Sequence, residues 1–246
     1  MFRDYTKEEI KAIQNETGVK TVFSQNAKMK KSSQNGIHLY NWGIPAYKSQ
    51  NGTLTCPNAS KCIIGCYAKS GAYVWSNVAN AYEARLSLSR TKGFEHVIVY
   101  HIDKLLSKHK TGKILIRIHD SGDFYSPSYF ETWCKIADVY KNETRIQFYA
   151  YTKMVQMCKG YAKQSLIPRN LTLIYSFGGR EDSHIDTEQD RHSFVFQNET
   201  ELAAMDYSDA SHDDTVAALG PNNKIGLVYH GTKSYTNTAW SKVSAK

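Results

Sequence analysis

No apolar run in this chain approaches the roughly 20 residues that a bilayer-spanning helix requires. The first residues, Met1-Phe2-Arg3-Asp4 through Lys11, carry no hydrophobic stretch of the secretory kind. A membrane or exported protein is therefore not expected, and the expected compartment is a reducing cytoplasm. Proline is scarce, at five residues, and no repeat or low-complexity tract is present. Cysteine is also sparse, at five in 246 residues. A disulfide-stapled domain would be smaller and richer in cysteine, so a bridged framework is excluded. There is no Walker loop, no G-x-G-x-x-G after a strand and no G-x-S-x-G, which removes the common nucleotide-loop and serine-hydrolase signatures.

Hydrophobic residues supply 41% of the chain, enough for a packed core. Lys and Arg number 31 against 23 Asp and Glu, a net charge of +8. That balance permits a nucleic-acid partner without requiring one. Tyrosine is frequent, at 17 residues.

Three of the five cysteines fall within one short segment, Thr55-Cys56-Pro57-Asn58-Ala59-Ser60-Lys61-Cys62-Ile63-Ile64-Gly65-Cys66. The spacing is C-x5-C-x3-C. In a reducing compartment, clustered thiols are more often metal ligands than bridges. Structural zinc sites use four ligands, usually as two closely spaced pairs. No second cysteine pair exists here, although one of nine histidines can supply a fourth ligand and keep zinc as the alternative metal. Three cysteines alone suit a 4Fe-4S cluster with one iron open to a non-protein ligand. The competing reading is three buried, uncoordinated thiols. Cys134 and Cys158 stand alone and read as core residues of helices.

Residues 1–36 read as an N-terminal helix and a basic arm. Thr6-Lys7-Glu8-Glu9 resembles a capped helix start, with the helix ending near Asn15, and Lys28-Met29-Lys30-Lys31 forms the arm. Residues 37–246 read as one α/β domain. Strands are expected at 37–42, 114–118, 145–151, 171–177, 193–197 and 225–230. Helical periodicity runs through Val74, Trp75, Val78, Ala81, Tyr82 and Leu86, and again through Phe94 to Leu106. Ser126-Pro127 opens a further helix, and another starts near Met154. Residues 178–192 and 206–224 read as polar loops. Such alternation argues for a mainly parallel sheet covered by helices. Six units are too few for an eight-fold barrel, so an open, partial (βα)6 barrel is expected, with a doubly wound sheet as the competitor.

In parallel α/β folds, ligands bind at the carboxyl ends of strands. There this chain places His119, Asp120, Ser121, Gly122 and Asp123, then Tyr149, Tyr151 and Lys153, then Ser176, Gly178, Gly179 and Arg180, and finally His230. Gly122 lets backbone approach a ligand. Asp120 or Asp123 suits a hydroxyl or an ammonium, and Lys153 and Arg180 suit a carboxylate or phosphate. His119, Asp123, Tyr151 and Lys153 are the candidate catalytic groups. Ser121, Gly122, Ser176, Gly178, Gly179, Arg180 and His230 are the candidate cofactor-binding ones. Polar strand ends are common without function, and Asp123 alternatively caps the helix from Pro127. Arg117 lies inside a strand and faces either the helices or the cavity. Histidines 184, 192 and 212, with Asp182, Asp186, Asp213 and Asp214, match no metal-ligand motif.

Several segments together resemble the bacteriophage gene product eighty-eight family. They are Asn26-Ala27-Lys28-Met29, Trp42-Gly43-Ile44-Pro45-Ala46, Thr55-Cys56-Pro57, Cys62, Cys66-Tyr67-Ala68, Gly71 and Tyr73, then Ser121-Gly122-Asp123-Phe124-Tyr125 and Phe148 through Lys153. The resemblance covers about residues 25–230 and implies a phage or prophage origin, hence a host cytoplasm. It implies no particular reaction. More distantly, a cysteine triad after a first strand is similar to the radical S-adenosylmethionine superfamily. That superfamily's spacing is C-x3-C-x2-C, and its Gly-Gly-Glu is replaced here by His119-Asp120-Ser121-Gly122-Asp123. This likeness implies a 4Fe-4S cluster on Cys56, Cys62 and Cys66, S-adenosylmethionine at the open iron, and an electron donor.

The first functional expectation is thus an iron–sulfur enzyme, radical S-adenosylmethionine-like, acting on a nucleotide or nucleic acid. The second is a non-enzymatic, metal-stabilised binder of nucleic acid or a host protein, with Lys28, Lys30 and Lys31 on phosphates and tyrosines stacked on bases. The third is a metal-dependent hydrolase built on His119 and its neighbours.

Overall fold

The structure is a computed structural model and describes residues 5–230. Thr6 caps the first helix, α1 (Lys7–Thr17), through a reciprocal capping box with Glu9, and Gly18 ends it in a left-handed conformation. Then follow α2 (Ala27–Ser32), β1 (Ile37–Trp42), a loop with short 3-10 turns at Lys61–Ile63, Tyr67–Lys69 and Gly71–Val74, α3 (Ser76–Ser89), α4 (Phe94–Lys108) and β2 (Lys113–Ile118). The chain continues through α5 (Pro127–Val139), β3 (Ile146–Thr152), α6 (Val155–Lys163), β4 (Leu171–Ser176) and a 3-10 turn at Asp182–His184. It goes on through β5 (His192–Phe196), α7 (Glu199–Ala204), β6 (Ser208–Asp209), α8 (Asp214–Leu219) and β7 (Lys224–Val228).

The seven strands form one sheet in the order β1-β2-β3-β4-β5-β7-β6. Every neighbouring pair is parallel. The sheet is an open half-barrel with helices around it, the partial barrel expected from the sequence, with seven strands rather than six. The additional strand, β6, lies at the edge beyond β7.

Alternation along each strand separates two cores. Ile114, Ile116 and Ile118 of β2, with Phe148 and Ala150 of β3, join the large cluster that includes Val97 and Ile98 of α4 and Phe130 and Trp133 of α5. Leu39, Leu115, Tyr149 and Ile174 point to the other, inner face. There they meet Met29 of α2 and Ala217 and Ala218 of α8. Two short helices thus fill part of the half-barrel's interior, and α2 packs on both β1 and α8.

Three sequence expectations change. The basic arm is not an arm: Asn26 caps α2, Met29 is fully buried, and Lys28 is turned inward. Met29 supplies the apolar contact that holds this polar segment in the fold. Second, the polar stretch 206–224 holds β6 and α8, and α7 precedes it. Third, Val74 and Trp75 lie outside α3 and are exposed, at 61% and 62%. Ser126, not Asp123, caps α5 by accepting from Tyr129 N, with Pro127 at the first helical position. Cys134 and Cys158 are buried on α5 and α6.

Candidate functional site

Parallel order places every strand's carboxyl end on one side of the sheet, and the loop after β1 returns across that side. A cavity of about 180 Å³ opens there. The cysteine loop forms one wall, with Cys56, Cys62 and Cys66 all lining it. His119 through Asp123 after β2, Tyr151 through Lys153 at the end of β3, Ser176 of β4 and Tyr229-His230 after β7 line it as well. Arg117 lines the same space, so its strand position resolves toward the cavity.

The cysteine loop is docked onto the end of β4. Cys62 N donates to Gly178 O at 3.0 Å, and Arg180 N donates to Asn58 O at 2.8 Å. Ala59 and Gly179 form an isolated bridge. Asp182 accepts from Gly178 N and Gly179 N at 2.9 and 2.8 Å, fixing the turn. Gly178 holds φ 94°, a conformation suited to glycine. Gly178, Gly179 and Arg180 consequently lie outside the cavity lining: they anchor the loop, and the Arg180 side chain is exposed. The anchoring carboxylate, Asp182, follows Gly179 closely, and that short Gly-to-Asp spacing was its only sequence signal.

All three cysteines are free and half-buried. Burial first, then Asp123, pushes the Cys56 thiol up, and Cys62 and Cys66 add to that effect. Burial also raises Cys66. Tyr47 N donates to Cys56 Sγ at 3.4 Å. Three neighbouring thiols on one wall match the donor chemistry of a thiolate-held cluster. Among the described residues, however, no group of three or more His, Cys, Asp or Glu is arranged to hold a metal ion. The polar-loop residues stay apart as well: Asp213 caps α8, Asp214 is buried in an ion pair, and His184 and His212 are exposed.

Asp123 is buried and accepts from Phe124 N at 2.7 Å, Thr152 Oγ1 at 2.7 Å and Lys153 N at 2.9 Å. It clamps the loop after β2 to the end of β3. Burial pushes its carboxyl up, against the three donors that favour the charged form. Lys153 Nζ donates to Ser176 Oγ at 2.8 Å, Phe177 O at 2.9 Å and Ser176 O at 3.1 Å. Its ammonium thereby joins β3 to β4. These two groups border the cavity while bracing it.

His119 adopts φ 70°, packs against Phe124 and Tyr129, and shares a 3.0 Å hydrogen bond with Tyr129 OH. Burial holds its pKa down to about 3, so the ring is neutral near pH 7. Asp120 accepts from Tyr82 OH at 2.8 Å and Tyr73 OH at 3.3 Å, and Tyr67 OH donates to its backbone carbonyl. Burial raises its carboxyl. Gly43 allows this approach: a Cβ there would fall 2.1 Å from Asp120 Oδ1 and 2.3 Å from Tyr82 Cε1.

Fold and site together define an α/β protein with a half-barrel parallel sheet and a thiol-walled cavity at the strands' carboxyl ends. The family model for Gene product 88 matches residues 17–242, and the chain belongs to that family. Comparison with curated proteins finds no match. Comparison with solved structures finds none either, so the likeness to the radical S-adenosylmethionine superfamily gains no support. No helix among the described residues is long and apolar enough to cross a membrane.

Proposed function

We propose that this Gene product 88 protein is an iron–sulfur enzyme that binds a small molecule beside a cysteine-held cluster. The observation that carries the reading is the shared cavity: Cys56, Cys62 and Cys66 line one wall, and Arg117, Asp120 and Tyr151 line the space they face. Cys56, Cys62 and Cys66 would hold the cluster. Such a cluster would supply an electron for chemistry on bound S-adenosylmethionine. The chain's own part is different. Asp123 and Lys153 hold three strand ends in register around the cavity, and the apolar wall of Ile63, Val195 and Leu227 limits water. A nucleotide is the proposed substrate class.

The test is anaerobic purification or reconstitution, followed by iron and sulfide analysis. The expected content is about four of each per chain, with absorbance near 400 nm. Cys62→Ala should abolish loading, and Cys134→Ala should leave it intact. About one zinc without sulfide would overturn the reading in favour of a metal-stabilised binder.

A further inference from the structure

We infer that Arg117 is the anion anchor of the cavity, where its guanidinium binds a carboxylate or phosphate group of the ligand. This deepens the small-molecule half of the function proposed above and does not depend on the metal half.

The sequence expectation gave that task to Lys153 and Arg180. Neither is placed for it: the Lys153 ammonium donates to three oxygens of β4 and the residue after it, and Arg180 is exposed outside the lining. Arg117 is placed for it. It follows Leu115 by two residues on β2, so it shares the inner face of the sheet. Its side chain is 12% exposed and borders the cavity. Its Nε has no hydrogen-bond partner among the described residues.

The charges around it do not balance. Among the described residues, the one carboxylate in contact is Asp214, whose Oδ2 lies 3.5 Å from Arg117 Nη1. That distance is long for a charge-assisted hydrogen bond. The other oxygen, Oδ1, lies 2.7 Å from Lys28 Nζ. Two cations thus share one buried carboxylate, and one positive charge is left over beneath the cavity. The nearby Tyr67 and Tyr151 do not neutralise it, because a phenol carries no charge near neutral pH. Asp120 is also pushed toward its neutral form by burial. A buried, uncompensated cation is costly unless an anion completes it. Carboxylate and phosphate both suit the paired N–H groups of a guanidinium. The Tyr151 ring lies 4.9 Å from the guanidinium carbon, and its hydroxyl, also without a hydrogen-bond partner among the described residues, lies beside the same space.

The probes are inorganic phosphate and acetate, each compared with chloride at equal ionic strength. Thermal unfolding and calorimetric titration are read on the wild type, Arg117→Gln and Arg117→Lys. The wild type should be stabilised by at least one of the two anions at millimolar concentration. Arg117→Gln should weaken that binding about tenfold or more, as expected for loss of a charged hydrogen-bonding partner. Arg117→Lys should recover part of it. A response to phosphate alone assigns a phosphate-bearing ligand, and a response to acetate alone assigns a carboxylate. Arg117→Gln should remain as stable in chloride as the wild type, because Lys28 and Asp214 then form a balanced pair. The inference is overturned if the wild type responds to neither anion, or if Arg117→Gln responds as the wild type does. It is also overturned if Arg117→Gln fails to fold, since Arg117 would then be a structural cation. Metal content is measured on the same samples. Lost iron with an intact anion response rejects the cluster alone, and intact iron with no Arg117 dependence rejects the anchor alone.

Discussion

Lys28 Nζ lies 2.7 Å from Asp214 Oδ1, so a residue of α2 and the first residue of α8 meet inside the half-barrel. Asp214 is fully buried, and Arg117 approaches its second oxygen. Burial pushes this carboxyl up, but Arg117 and Lys28 outweigh it and hold the carboxyl below its ordinary range. Asp214→Asn removes the counter-charge of both cations and should cost about 3–5 kcal/mol. Lys28→Met leaves Arg117 to balance Asp214 and should cost less. Urea unfolding of the two variants checks the order. Because the folded carboxyl titrates below the unfolded one, the pair's stabilisation is present above the unfolded pKa and is lost as pH falls through the folded value.

The same ion pair changes what the basic segment can do with nucleic acid. Lys30 and Lys31 are exposed, whereas Lys28 is engaged inward. If nucleic acid binds this face, removing Lys30 or Lys31 should each lower the log–log salt slope by roughly one. Removing Lys28 should leave the slope unchanged. Equal effects of all three lysines would show that Lys28 leaves Asp214 on binding.

The legible features were those with a long period or a local cap. The apolar spacing of Phe94, Val97, Ile98 and Ile102 marks α4, and Ser126-Pro127 marks α5. Continuous apolar runs such as Ile114-Leu115-Ile116 mark strands buried on both faces. Six residues of α8 show no comparable period, and the two of β6 are too few to carry one. The direction of Lys28 was illegible because its partner is remote in sequence. Strand-end position brought His119, Asp123 and Lys153 into view, but it does not separate a group that faces a ligand from one that braces the wall. Arg117 was ambiguous for the opposite reason: a charge within a strand shows its face only once the register is known.

Asp123 illustrates that bracing. Its carboxylate accepts three hydrogen bonds while 4% exposed. Asp123→Ala orphans two backbone N–H groups and the Thr152 hydroxyl, and should destabilise the chain by about 2–4 kcal/mol. Asp123→Asn, which keeps one acceptor oxygen, should cost less. Chemical denaturation reads both, and an Ala variant as stable as the wild type would show that water satisfies the freed donors.

His119 sets an acid limit on stability. Its folded pKa is about 3, against an ordinary 6.5, because burial disfavours the imidazolium and Arg117 adds to that effect. The folded state therefore binds fewer protons than the unfolded state between those values. Stability is fully present above pH 6.5 and falls as the pH drops toward 3, with a slope of up to about 1.4 kcal/mol per pH unit from this residue. His101, lowered to about 4 chiefly by burial, contributes in the same direction. His119→Asn tolerates the left-handed backbone better than most replacements and does not titrate in this range. It should lower stability at neutral pH by removing the packing against Phe124 and Tyr129, yet flatten the acid limb. Urea unfolding above pH 6.5 and again between 6.5 and 4 separates the two effects. An unchanged acid limb would mean that the imidazole of His119 reaches water and protonates in the folded state.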